Sequence, residues 1–504
     1  MMNEILWSTQ TGYPPLILLQ LLPLIAAALI IALRKTTLVF PLAIVAALAE
    51  ILIAIFMYQH YDTSNSALQF AERLDWLGWH NAVDGVSILF ILLSAVISLM
   101  VILYGRVRPL EPQSSFLAVV FVVEATLMGL YSTLNLLWFL FFTILQLLVL
   151  GYLLWRWATS PVKSLALTRF WQFMGLSLVL LTAGIIMLGW NYADTHNGVW
   201  SFDLLELAQT PVKSGLQSVV FFLLFYGLAI RIPLFPLHGW LPLTAEHGTV
   251  AVAPVFLLGL KTGIYGLLRF VFPLVPEAVI QWQPFVIAFA VIGVFYAALL
   301  ATQQNNLRRL LAFAVVSHTS ILIIGLFTLE AIALQGAVLL SANFGLAGAG
   351  LLLMMGLVFR RTNTTSLSAL GGLFDRIPLI GIAFFVAGLS IVGMPGTPGF
   401  DAVHLVLEAA IHRFGALVTI AAALGNVVAA GFLLWAFQRA FLAPATEQDG
   451  YQEVAKANPI EWLLALFFII LMPVVGFYFT PWLELTETAV NTLSTLFTTT
   501  PVTH

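Results

Sequence analysis

The stretch Arg231–Arg269, RIPLFPLHGWLPLTAEHGTVAVAPVFLLGLKTGIYGLLR, decides how the rest of the chain is read. It sets two basic side chains, Arg231 and Lys261, and two histidines, His238 and His247, inside or beside apolar helical runs. Between the basic residues lie Pro233, Pro236, Pro242 and Pro254. A proline in a helix interior removes a hydrogen bond and clashes with the preceding turn. In hydrocarbon, broken backbone is tolerated only where protein or a water-filled cavity satisfies the freed groups. A charge at that depth is costly and marks an ion or proton path. The stretch therefore reads as a broken helix followed by a charged one, set around an ion route.

The surrounding composition agrees. Of the 504 residues, 61% are hydrophobic and only 9% charged, against about a quarter charged in soluble domains. Successive apolar runs reach the ~20 residues that a bilayer demands, which predicts an all-α polytopic membrane protein. The net charge of −3 says nothing about partners, and the lack of a basic tract argues against nucleic acid. The absence of cysteine excludes disulfides, thiolate-held iron–sulfur clusters and a cysteine nucleophile. No cofactor or metal is expected in this chain, so any electrons travel elsewhere. The start, MMNEILW, has neither a basic region nor a clear cleavage site, and the first helix is expected to serve for insertion.

Hydropathy gives about fourteen spans. They run Leu16–Leu33, Leu38–Tyr58, Val86–Tyr104, Phe116–Leu134, Leu136–Trp155 and Phe170–Trp190. The seventh starts near Val219 and runs into Arg231 and its prolines; the eighth is Pro254–Phe272. Val279–Ala301, Leu310–Phe327 and Ala331–Phe359 follow, then Leu379–His412, interrupted at GMPGTPG, then Ala416–Phe441 and Ile460–Trp482. The polar segment LDWLGWHNAVDG reads as a loop whose tryptophans lie at the membrane interface, and SFDLLELAQ as a short amphipathic piece. Fourteen of the 20 Lys and Arg fall in loops after odd-numbered spans, so both termini should face away from the cytoplasm. Helices broken near 231–254 and 393–401 lie five spans apart. Paired interruptions of this kind point to an inverted-repeat transporter. The expectation is one transmembrane domain over 1–504, with repeat one about 116–272 and repeat two about 279–441.

PLHGWLP (Pro236–Pro242), LKTGIYGLLRF (Leu260–Phe270), NLRRLLAFAVVSHTSILIIG (Asn306–Gly325), VDGVSILFILL (Val83–Leu93) and GMPGTPGF (Gly393–Phe400) together resemble one family. It is the antiporter-like membrane-arm subunit of complex I, called NuoM in bacteria and NdhD in cyanobacteria and plastids. The resemblance implies fourteen helices in two inverted five-helix repeats, and one proton channel of an NAD(P)H or ferredoxin:quinone oxidoreductase. It further implies an integral protein of a bacterial inner or cyanobacterial thylakoid membrane. Quinone, iron–sulfur clusters and the electron donor would belong to partner subunits of the arm, with no redox chemistry in this chain. Along the family's central ionisable row, the span-seven lysine falls at Arg231, the span-eight lysine at Lys261 and the span-ten histidine at His318. Three positions depart. The span-five glutamate is missing from LFFTILQLLVLG, where Gln146 is the long polar residue; the span-eleven histidine reads Phe344; the span-twelve glutamate falls at Val403, with Asp401 and His404 beside it.

The departures have physical consequences. Lysine suits a relay because its proton affinity is readily tuned by burial and neighbours, whereas arginine stays charged. Arg231 is then a fixed electrostatic element in need of a partner. Glu124 in span four is the best remaining intramembrane carboxylate candidate, and Asp401, His404 and Glu408 share one helical face as a candidate outlet. Each residue has a plainer alternative. Arg231 could cap carbonyls at the break, His318 could be a core histidine bonded to Ser317 or Thr319, and His238 and His247 could satisfy loop backbone. Glu124 could face a neighbouring subunit, and the Asp401 group the surface. At the level of the whole chain, an Mrp-type cation/proton antiporter subunit and a structural subunit with a degenerate channel stand as alternatives. The altered relay and the wording AEHGTVAVAPVFLLGLK suggest a carbon dioxide uptake variant, with a carbonic-anhydrase-like partner subunit.

Overall fold

A computed structural model of the chain describes residues 3–158, 160–248, 261–444 and 455–498. Among these, 12 helices are long and apolar enough to cross a membrane, and Pro378–Ile391 is a shorter apolar one. The expected eighth span lies partly outside the described residues, Pro254 included. Its described part, 261–274, is helical and widens into a π-helical turn at Leu267–Val271. The protein is an integral, multi-pass helical membrane protein.

Both anticipated breaks are present, and each is repaired by a side chain. The helix Ser214–Arg231 stops before Pro233, and a second helix resumes at Trp240–His247. The indole Nε1 of Trp240 donates to the Ile230 carbonyl at 2.8 Å, taking an acceptor that the interrupted helix leaves open. The second break separates Pro378–Ile391 from Pro398–Phe414. There Gly393 and Gly396 adopt φ of +69° and +84°, a region that favours glycine. Asn343 Nδ2 donates to the Ser390 carbonyl at 2.9 Å and Asn426 Nδ2 to Val392 at 3.2 Å. Irregular backbone thus survives at depth because protein donors satisfy it.

On the face where the chain begins, the structure departs from the sequence reading. The segment read as a loop forms strands β2 (Leu68–Leu74) and β3 (Trp79–Val83), paired antiparallel, with β1 (Glu4–Leu6) parallel to β2. Trp76 is exposed at the turn, but Trp79 packs edge-on against Trp138 with ring centroids 4.6 Å apart. The sheet organises its surroundings through buried polar side chains. Glu72 accepts from the backbone N–H groups of Leu16 and Ile17 at 2.7 and 2.9 Å, capping the helix Pro15–Ala32. Beyond the last expected span, Thr480–Thr498 is a further helix, tied back by Gln335 Nε2 to the Leu483 carbonyl at 2.8 Å.

His80 in β3 is held between two carboxylates, with Nε2 2.5 Å from Glu4 and Nδ1 2.5 Å from Asp203. Burial alone would lower its pKa, but the hydrogen bonds and charges of Asp203 and Glu4 outweigh burial and raise it. Arg73 stands beside the ring, 3.3 Å from Nδ1. An imidazolium whose folded value is raised stabilises fully below its unfolded value of about 6.5, and that contribution is lost as pH rises through the folded value. Docking of the sheet onto the helix Leu204–Gln209 should therefore loosen above neutral pH. His80→Gln should flatten this dependence, as read by limited proteolysis of the N-terminal strand across pH.

The opposite face carries the basic loops. There Glu461, fully buried, accepts from Arg360 Nη1 at 3.0 Å and Arg361 Nη2 at 2.6 Å, while also closing a capping box with Asn458. Removing one partner of a buried pair leaves the other charge uncompensated, at about 3 kcal/mol or more. Because Arg360 is partly exposed, most of that cost falls on Arg361. Glu461→Ala should lower the thermal unfolding temperature of the purified protein and free the helix Pro459–Phe477.

Candidate functional site

The interior polar residues gather where the broken seventh helix meets the helix bearing Lys261. Arg231 is the last residue of Ser214–Arg231 and is buried. Its Nη2 donates to Gln146 Oε1 at 2.5 Å and to Thr262 Oγ1 at 2.9 Å, whereas Nη1 bonds no protein group. The amide nitrogen of Gln146 and the hydroxyl of Thr143 on the same helix are also unbonded. Arginine here meets a neutral amide rather than a carboxylate, so its charge is positioned but not cancelled. The carbonyl-capping role at this break falls to Trp240 instead.

One residue before Thr262 lies Lys261, also buried. Its ammonium sits 5.4 Å from the centre of the Phe344 ring, within cation–π range. The same ring lies against His318, with centroids 5.0 Å apart. Neither nitrogen of His318 bonds a protein group, and Ser317 directs its hydroxyl to the Val294 carbonyl at 2.9 Å. The alternative of a core histidine satisfied by Ser317 therefore does not hold. Lys261 and His318, with Phe344 packed against both, make up the interior row.

The remaining candidates divide. His238 is buried at the break, against Phe235, Tyr296 and Phe313, with Nδ1 unbonded. His247 lies at the end of Trp240–His247 and contacts Ser160 Oγ at 3.0 Å, close to the Glu246–Arg309 pair, away from the interior row. Asp401, His404 and Glu408 do not join that row. His404 and Glu408, 70% and 51% exposed, lie 3.9 Å apart on the outer side of Pro398–Phe414. The reason is the helical period: Ala402, Val403, Val406, Ala409 and Ala410 form the buried stripe of that helix and turn the polar face outward. Glu124 is fully buried and both its carboxylate oxygens are unbonded, with Ser98 the polar group that approaches it.

Two groups escaped the sequence reading. Glu50, in the middle of Val39–His60, is as buried as Glu124, and its two oxygens are likewise unbonded. The signal was there: a carboxylate inside an apolar span, the same mark that singled out Glu124. The second is Arg269, which pairs with Asp84 at 2.9 Å and donates to Tyr265 Oη and Ser87 Oγ, both at 3.0 Å. A cavity of about 60 Å³ opens beside this network, lined by Tyr61, Asp84, Tyr265 and Arg269 among others. Among the described residues no three His, Asp or Glu side chains group as metal ligands.

A family model described as NADH:quinone oxidoreductase/Mrp antiporter, transmembrane, matches residues 133–429. NADH-quinone oxidoreductase subunit M of Escherichia coli is 30% identical over 428 residues, 83% of each chain. NAD(P)H-quinone oxidoreductase chain 4 of Gloeobacter violaceus is 30% identical over 484 residues, 93% of this chain and 90% of that one. Among solved structures, a chain of respiratory complex I from Thermus thermophilus superposes with a TM-score of 0.84 at 25% identity, covering 96% of this chain and 99% of its own. A chain of the Mrp complex from Dietzia shares the fold with a TM-score of 0.84 at 20% identity, covering 96% and 98%.

Proposed function

Because this chain belongs to the NADH:quinone oxidoreductase/Mrp antiporter family, we propose that it is a proton-translocating membrane-arm subunit of a complex I type NAD(P)H or ferredoxin:quinone oxidoreductase. The observation that carries this reading is the buried row Lys261–Phe344–His318. Lys261 and His318 exchange the proton. Arg231, which keeps its charge, biases that exchange as a fixed cation aimed by Gln146 and Thr262. The Phe344 ring, packed against both, has no group that can carry a proton, so transfer between Lys261 and His318 runs through water. Quinone, iron–sulfur clusters and the electron donor belong to partner subunits, and this chain contributes the proton path alone. His238, beside the break, lies on the approach from the basic face.

The test is proton uptake coupled to electron flow in vesicles carrying the complex with Lys261→Ala. Replacing sodium by another cation in the same assay separates this reading from an Mrp-type antiporter, whose uptake would change. A carbon dioxide uptake role adds one requirement: the purified complex must carry a carbonic-anhydrase-like subunit.

A further inference from the structure

Glu50 and Glu124 sit at one depth on two helices that both pack against Pro15–Ala32 and Gly85–Val107. Each is the twelfth residue of its helix, Val39–His60 and Gln113–Ser132, as His318 is of Leu307–Leu326. These are the second, fourth and tenth expected spans, so all three helices start from the same membrane face. At 1.5 Å per residue the three side chains lie about 16 Å from that face, near the middle of a ~30 Å hydrocarbon core.

The two carboxylates are close enough to repel one another, and all four oxygens are buried, those of Glu50 without a protein partner and those of Glu124 with Ser98 as their polar neighbour. Glu50 belongs to the stripe Ala43, Ala46, Ala47, Glu50, Ala54 and Met57, along which its helix packs inward. An alanine there would pack at lower cost, and the carboxylate gives no ion pair or hydrogen bond in return. Two like charges this near, in buried surroundings with so few polar groups, cannot both be ionised.

We propose that Glu50 and Glu124 together form a proton-binding site of this chain, a carboxyl pair that shares one proton at rest and takes up a second. Uptake of one proton converts the singly charged pair to a neutral one, and its release restores the charge. No bond other than O–H forms or breaks. The pair's part in transport rests on the function proposed above, whereas its proton binding rests on its own geometry.

The test uses the purified, assembled complex and infrared difference spectra in H2O and D2O, at rest and during turnover. The wild type should show a deuterium-sensitive protonated-carboxyl band that changes on turnover. In Glu50→Gln or Glu124→Gln the surviving acid, with no charged neighbour, should stay protonated and its band fall silent. The double variant should lose the band. Proton uptake per electron should fall in Glu50→Gln and return in Glu50→Asp. A turnover-dependent band that persists in the single variants, or a band untouched in the double variant, overturns the proposal. Glutamine matches glutamate in size and removes the buried charge, so assembly should be kept. Failure of both Glu50→Gln and Glu50→Asp to assemble would make Glu50 a packing residue and also overturn it. Normal pumping in Lys261→Ala alongside an intact, responsive band would sink the relay while leaving the pair standing.

Discussion

Lys261→Ala in the assembled complex is expected to cut proton uptake coupled to electron flow at least about tenfold, the equivalent of 1.4 kcal/mol or more in the transfer barrier. The lysine is buried, and its ammonium lies over the Phe344 ring. Its removal deletes no ion pair, and a buried charge without an anionic partner costs stability, so the alanine variant should assemble. The loss would then report on transfer and not on folding. Lys261→Arg sharpens the point, since arginine keeps the charge and holds its proton. If charge alone mattered, Lys261→Arg would pump; as a relay residue, it should fail as alanine does. Normal pumping in both variants would make this chain a scaffold and send the proton route to neighbouring subunits.

What the sequence disclosed, and what it hid, follows from the reach of each physical rule. Pro233, Pro236 and the Gly–Pro run at 393–399 announced both breaks because backbone rules act locally. Nothing local announced that Trp240 and Asn343 would repair them, since those contacts join distant segments. Lys261 stood out as a charge in an apolar run, and Glu50 satisfied the same rule but lay outside the motifs that drew attention. Helical spacing correctly put Asp401, His404 and Glu408 on one face. Spacing cannot say which face turns inward, and the alanine and valine stripe of that helix decided it. The sheet was missed because β2 and β3 bury Gln69, Glu72, His80 and Asn81, polar residues that read as loop until their partners are known. Phe344 appeared as a missing histidine, and only packing showed that it lies against both Lys261 and His318.

Arg231→Ala is the second substitution with a large expected effect. It deletes the cation and its two hydrogen bonds, to Gln146 and Thr262, each about 1.5–3 kcal/mol when the donor is charged. Thr262 adjoins Lys261 in the chain, so the guanidinium also fixes the helix that presents the lysine. Proton uptake should fall by about one to two orders of magnitude, with electron flow retained if the redox centres lie on other subunits. Arg231→Lys distinguishes the two parts of the role. A lysine restores charge but offers one nitrogen where arginine offers a planar fork. Recovery of most of the activity would mean that charge is what the site needs; little recovery would mean that the guanidinium's geometry holds Gln146 and Thr262 in register. Gln146→Glu supplies the complementary test. A carboxylate at that position would neutralise Arg231 in a buried ion pair, and if the uncancelled charge drives exchange at Lys261, uptake should drop although the structure gains a partner. Unchanged uptake in both Arg231→Ala and Gln146→Glu would remove the electrostatic role from Arg231 altogether, leaving Lys261 and His318 to operate without it.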